Sequence, residues 1–187
     1  DGEIVREDIA GVRACYLSRL YEAERYTAER LTIMSAQKNE LPDKMENITS
    51  WLEAKLGIEY APKQKETLRI AAREQVMVIT GGPGTGKTTT VRAILAMFDR
   101  LGLETVLAAP TGRAAKRLGD VCAREAQTVH RLLGAGFSQD GECVTFKKNE
   151  DDPLRCDAII LDECSMVDIM LMRALLCALP TGCRMVL

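Results

Sequence analysis

The sequence has a single histidine and no two cysteines in a C-x-x-C spacing. A structural zinc centre needs four such ligands in a compact pattern, so none is expected. No apolar run approaches the ~20 residues that a membrane-spanning helix requires, and no secretory signal precedes the first residues. Formal net charge is −2, so no basic field surrounds the whole chain, and any contact with nucleic acid has to come from a local patch. There is no internal repeat. Beyond Asp162-Glu163 no carboxylate cluster of the kind a metal-dependent nuclease uses is found, and nothing resembles the acceptor-substrate lid of a small-molecule kinase. With 187 residues, 47% hydrophobic and 28% charged, the chain has enough for one domain or a little more, with a sizeable core and a soluble surface. Residue 1 is Asp, and Cys183-Arg184-Met185-Val186-Leu187 reads as a strand cut before its loop. The expectation is a piece from the middle of a longer protein.

What is present is organised around Gly81-Gly82-Pro83-Gly84-Thr85-Gly86-Lys87-Thr88-Thr89. This fits the G-x-x-x-x-G-K-[ST] phosphate-binding pattern. Val76-Met77-Val78-Ile79 before it is apolar and rich in β-branched residues, as in a buried strand, and residues 88–101 after it have helical spacing. At average glycine usage such a match arises by chance in roughly one chain in a hundred, and the flanking strand and helix lower that further. The residue types follow from the chemistry of a triphosphate. Glycines allow positive φ and close backbone approach, so that N–H groups converge on the anion. The helix start adds unpaired N–H groups and a positive dipole end. Lys87 brings a mobile charge to the β- and γ-phosphates, and the Thr88 hydroxyl is a candidate ligand of Mg²⁺. Seven cysteines, an odd count, beside a nucleotide-binding loop fit reduced, mostly buried thiols in the cytosol.

Upstream, residues 3–6 and Val12–Leu17 read as a β-hairpin around Asp8-Ile9-Ala10-Gly11. Apolar positions 17, 20, 21, 28 and 31 share one helical face, so a helix is predicted from Ser18 to about Lys38. Pro42 lies in a linker. A second helix covers Met45–Leu56, stopped by Gly57, and a third starts at Pro62. Downstream of the glycine loop, residues 104–109 read as a strand, 113–125 as a helix and 128–133 as a short helix capped by Thr128. Residues 134–152 read as an irregular excursion with a strand at 143–146. A strand at 157–161, an apolar helix at 167–179 and a strand at 183–187 complete the chain. Strands alternating with helices imply a parallel sheet with right-handed crossovers.

Asp157-Ala158-Ile159-Ile160-Leu161-Asp162-Glu163 is an apolar strand that ends in two acids. Ligands of open α/β sheets bind at such carboxyl-terminal strand edges. Asp162 is placed to hold Mg²⁺ through a water, and Glu163 to orient and deprotonate an attacking water. Phosphoryl transfer needs charge neutralisation and an aligned nucleophile more than covalent help. Lys87 with the metal supplies the first and Glu163 the second.

Taken together, the chain resembles the RecD-like branch of the superfamily I DNA helicases, the family of the exodeoxyribonuclease V alpha subunit. The resemblance rests on the glycine loop, Ala109-Pro110-Thr111-Gly112-Arg113-Ala114-Ala115-Lys116-Arg117-Leu118, Thr128-Val129-His130-Arg131-Leu132-Leu133 and Leu161-Asp162-Glu163-Cys164-Ser165-Met166-Val167-Asp168. Leu20-Tyr21-Glu22-Ala23-Glu24 and Gln64-Lys65-Glu66 are weaker matches. The resemblance implies a RecA-like P-loop α/β fold, a parallel sheet with helices on both faces. Residues 61–187 would form the first motor domain, and residues 1–60 a hairpin and helical region before it. Strand 183–187 would lie between the phosphate-loop strand and the Asp162 strand. ATP and Mg²⁺ would bind Gly82, Pro83, Gly84, Thr85, Gly86, Lys87, Thr88 and Thr89, with Gln64 reading adenine and Thr88 and Asp162 at the metal. Lys87, Asp162 and Glu163 would be catalytic. Thr111, Arg113, Lys116, Arg117, Thr128 and His130 would touch single-stranded DNA, and Ser165 and Asp168 would couple the two sites. Tyr60 is placed to lean on the base but reads more simply as a packing residue.

The same resemblance implies a cytoplasmic DNA motor moving 5′ to 3′, working with RecBC-type subunits or without them and away from membranes. It also implies that the family's next motif and second motor domain lie beyond Leu187, so the 187 residues alone would bind Mg²⁺-ATP, hydrolyse it slowly and unwind nothing. Two other readings fit the residues: a related superfamily I motor, conjugative or RNA-directed, and a nucleotide-gated binding module without motor action.

Overall fold

The structure, a computed structural model, describes residues 3–42, 45–81, 86–137 and 144–187. Gly82, Pro83, Gly84 and Thr85 of the glycine loop, and Cys143, lie outside the described residues. β1 (Ile4–Ile9) and β2 (Val12–Leu17) form an antiparallel hairpin. The first strand ends three residues later than in the sequence reading, because Asp8 accepts the Gly11 N–H and turns the chain tightly. Helices α1 (Ser18–Ala36), α2 (Met45–Leu56) and α3 (Pro62–Arg73) follow within two residues of their predicted bounds.

The remainder builds a five-stranded parallel sheet in the order β3-β9-β8-β4-β5. The strands are β3 (Val76–Met77), β4 (Thr105–Ala109), β5 (Ala126–Thr128), β8 (Ala158–Leu161) and β9 (Arg184–Val186). The last strand therefore lies between β3 and β8, as the resemblance implied. The β3 ladder continues past Met77, with the Ile79 N–H donating to the Leu187 carbonyl at 2.7 Å. β8 is buried along its whole length, as the apolar run of its sequence requires of a central parallel strand. Its side chains alternate between the faces. Ala158 and Ile160 join a core with Leu107, Val186, Phe98 and Ile94. Ile159 and Leu161 join a second core with Met185, Leu171, Leu175 and Leu176. The first core is closed by α2, α3, α4 (Lys87–Arg100) and α5 (Gly112–Cys122), the second by α1, α6 (Val129–Leu132) and α7 (Ile169–Ala178). Met45, Leu52 and Tyr60 pack in the first core and Met34 in the second, so the helices before residue 61 share apolar interior with the sheet.

Three local readings are corrected. The helix after β4 ends at Cys122, not near residue 125. Ala123 takes left-handed φ of 50°, its N–H returns to the Gly119 carbonyl, and the chain re-enters the sheet as β5. Gly119 is needed there, since a Cβ would stand 3.0 Å from the Arg124 carbonyl oxygen. The helix expected from residue 167 starts at Ile169, because the Asp168 carboxylate caps it by accepting the Leu171 N–H at 2.9 Å. A single 3-10 turn, Cys164–Met166, precedes it. The excursion after α6 is a hairpin of β6 (Ala135–Phe137) and β7 (Val144–Phe146). Of the six described cysteines, all free, only Cys156 and Cys183 are buried. Among the described residues, no helix is long and apolar enough to cross a membrane.

Candidate functional site

The carboxyl ends of β3, β9 and β8 open into one cleft of about 390 Å³. Thr80, Gly81 and Lys87 line one side of it, and Asp162, Glu163 and Ser165 the other. A smaller adjoining hollow of about 120 Å³ is bounded by Lys87, Thr88, Asp162, Glu163 and Arg117. The glycine-loop lysine and the acid pair, 75 positions apart in sequence (162 − 87), thus face each other. This follows from topology. In a parallel sheet every strand delivers its C-terminal residue to the same edge, and β8 stands two places from β3.

Gly86 caps α4 with φ of +81°, a left-handed conformation that glycine adopts without a steric penalty. Its carbonyl accepts both the Thr90 N–H at 2.9 Å and the Thr90 hydroxyl at 3.1 Å, which fixes the first helical turn. Lys87 and Thr88, at the exposed start of that turn, carry the positive end of the α4 dipole. The Lys87 ammonium donates to the Gly81 carbonyl at 2.6 Å, so the side chain curls across the mouth of the loop.

Gln64 comes to the same place from α3. Its side-chain oxygen accepts the Ala61 N–H at 3.0 Å, while its own N–H donates to the Ala61 carbonyl at 2.8 Å. The side-chain bond points its side-chain nitrogen at the loop, where it would stand 3.2 Å from a Cβ on Gly86. Tyr60 is 3% exposed within the first core, and burial pushes its phenol pKa upward. It is the packing tyrosine of the two readings and does not reach the cleft lining.

Asp162 and Glu163 follow β8 directly. The Asp162 N–H donates to the Ala108 carbonyl at 3.0 Å, extending the ladder one residue, and its carboxylate accepts the Glu163 N–H at 3.0 Å. Glu163 itself has φ of 54° and ψ of 38°. A side-chain-bearing residue in that region is unfavourable, and such outliers gather where function fixes a side chain's direction. The residues fit a divalent cation carried in on phosphates. The Thr88 hydroxyl and the Asp162 carboxylate border one hollow, and among the described residues no group of three or more His, Cys, Asp and Glu could cage a metal by itself. Mg²⁺ sites of nucleotide enzymes have this character, with one or two protein oxygens and the rest from phosphate and water.

The residues expected to meet a nucleic-acid strand separate. Thr111 and Thr128 cap α5 and α6, accepting the Ala114 and Arg131 N–H groups at 3.2 Å each. Arg113 and Lys116 are exposed on α5. His130 is exposed on α6, its ring 6.1 Å from that of Phe146 on β7. Arg117 instead lies toward the acid pair, its Nη1 3.9 Å from Oε1 of Glu163. No sequence signal announced that contact, which needs α5 and the end of β8 brought together by the sheet. Ser165 lines the cleft, while Asp168 serves as the α7 cap.

Residues 64–187 match the family model described as an AAA domain. The chain belongs to that family. This AAA domain is 47% identical over 125 residues to the ATP-dependent RecD2 DNA helicase of Deinococcus radiodurans, covering 67% of the chain and 17% of that protein. The chain is 33% identical over 200 residues to the RecBCD enzyme subunit RecD of Mycobacterium tuberculosis, covering 94% of the chain and 32% of that protein. It is 35% identical over 119 residues to the ATP-dependent DNA helicase dda of Enterobacteria phage T4, covering 63% of the chain and 27% of that protein. These similarities set the AAA domain on the RecD-like branch of superfamily I. The chain spans between 17% and 32% of the length of these relatives. Family and relatives alike imply that it binds nucleotide.

Proposed function

We propose that this chain carries the ATP-binding core of a RecD-type DNA motor that moves 5′ to 3′ along single-stranded DNA, with residues 61–187 as its first motor domain and residues 1–60 as a preceding hairpin and helical region. The observation that carries the reading is the shared cleft, with Lys87 and Thr88 on one wall and Asp162 and Glu163 on the other. In this reading the glycine loop and the α4 N-terminus hold the phosphates, and Lys87 leaves the Gly81 carbonyl for the β- and γ-phosphate oxygens. Thr88 and Asp162 hold the Mg²⁺, which supplies charge neutralisation at the phosphates. Glu163 orients a water and takes its proton. Gln64 offers its side-chain nitrogen to adenine N7 and its oxygen to N6, the pairing an amide makes with that base.

The strand lies on the surface of Thr111, Arg113, Lys116, Arg117, Thr128 and His130, where exposed cations and the α5 N-terminus meet phosphate. The names of the relatives cover both a RecBCD subunit and a helicase named by itself, and work on DNA of either kind supports a cytoplasmic location. Fluorescence anisotropy with an ATP analogue and a labelled oligothymidylate tests the reading. The wild-type chain is expected to bind both, and Lys87→Ala to lose the nucleotide while keeping the strand. Failure of the wild-type chain to bind nucleotide in Mg²⁺ would overturn it.

A further inference from the structure

We propose that Arg117 is a positioning residue that engages Glu163 until a strand phosphate draws it away, so that one guanidinium serves both the nucleic-acid surface and the hydrolytic carboxylate. The inference rests on the reading of Glu163 as the general base. Arg113, Lys116 and Arg117 have the i, i+3, i+4 spacing that puts them on one side of α5. Among the described residues Glu163 is the one charged partner of Arg117, at 3.9 Å. The Arg117 side chain is 71% exposed, so packing does not account for where it lies. Both groups border the same hollow with Lys87, Thr88 and Asp162.

Glu163 is aimed by its backbone. Its left-handed φ, the N–H bond to Asp162 and the 3-10 turn that follows all fix its direction. What remains adjustable is the charge beside it. A long, solvent-screened ion pair is weak, whereas a guanidinium binds phosphate through two parallel hydrogen bonds. A strand on α5 therefore competes for Arg117 on favourable terms. While Arg117 pairs with Glu163, the carboxylate is drawn toward the guanidinium. Once Arg117 turns to the strand, Glu163 is free to act. The water oxygen then bonds to the γ-phosphorus and its proton passes to Glu163. The bond from the γ-phosphorus to the bridging oxygen breaks, and its electron pair leaves with ADP.

Linkage makes the effect reciprocal, because whatever frees Arg117 must also tighten the strand. The test is a double-mutant cycle on oligothymidylate affinity in the 187-residue chain, measured without nucleotide. Glu163→Gln is expected to tighten binding on the order of fivefold when Arg117 is present and to change nothing in the Arg117→Ala background. In single-turnover ATP hydrolysis, Arg117→Ala is expected to raise the strand-free rate and to shrink its stimulation by the strand, with Arg117→Lys restoring part of both. Equal effects of Glu163→Gln with and without Arg117, an unchanged strand-free rate, or no measurable strand binding would each overturn the proposal. Failure of the wild-type chain to bind Mg²⁺-ATP would instead sink the functional reading, and the nucleotide-free cycle would still decide whether Arg117 and Glu163 are coupled.

Discussion

Gly86 shows how much the site asks of one residue. Its φ of +81° excludes an easy side chain, and a Cβ would crowd the Gln64 nitrogen at 3.2 Å. Gly86→Ala is expected to cost about 1–2 kcal/mol of stability from the left-handed backbone alone and to weaken ATP-analogue binding, as read by melting curves and titration calorimetry. Glu163→Gln keeps the shape of the side chain and removes its basicity. It should bind Mg²⁺-ATP as the wild type does while single-turnover hydrolysis falls by about 10²–10⁴-fold, the usual contribution of a general base. Gly86, Lys87 and Thr88 stand out in the sequence because the phosphate-binding pattern has fixed length and each residue type answers a local demand. The Arg117–Glu163 contact was not, because nothing local to either residue encodes it. It arises where a helix on one strand's return meets the end of the neighbouring strand.

Elements were read from the sequence about as well as their ends are marked. Helices α1 to α4 came out within two residues because Gly, Pro and apolar spacing punctuate them, and β8 because a continuous apolar run fits a strand buried on both faces. β5 was missed. Ala126-Gln127-Thr128 has no strand signature, and pairing to β4 together with the Ala123 turn makes it a strand. α7 depends on its cap, so Asp168→Ala should lower stability by about 1 kcal/mol, visible as a lower Tm. Leu175→Ala, at a fully buried α7 position, should cost about 2–5 kcal/mol. The α2–α3 clasp should respond to acid. Glu53 accepts from the Lys65 ammonium and from the Tyr60 N–H, both at 2.9 Å, and these two bonds hold its carboxyl below the ordinary value of 4.5. A lowered folded-state pKa means that the contribution is complete above the ordinary value and fades as pH falls through the lowered one. Glu53→Gln should therefore flatten the acid limb of a Tm-against-pH curve below pH ~5, with the fluorescence of Trp51, the one tryptophan, following α2.

At the scale of the molecule, one sheet places two sequence-distant words on one edge and closes an apolar core on each face. The alternation of strands and helices made the parallel sheet legible, and the four motifs made the RecD-like relationship legible. The shared interior of α1, α2 and the sheet was not, because an amphipathic helix does not name what covers it. With a net charge of −2, strand binding has to be local. Affinity for oligothymidylate should fall with salt with a shallow log–log slope, about one ion for each phosphate neutralised, and Arg113→Ala should reduce that slope. The account stands on the phosphates of a nucleotide lying between Lys87 and the acid pair. Its most direct test is the Mg²⁺ dependence of ATP-analogue affinity in the wild type, Lys87→Ala and Asp162→Ala. The expected result is a loss of about tenfold or more for Lys87→Ala, as for removal of a charge-assisted bond, and a wild-type Mg²⁺ dependence that disappears in Asp162→Ala. Equal affinity and equal Mg²⁺ dependence in all three proteins would contradict it.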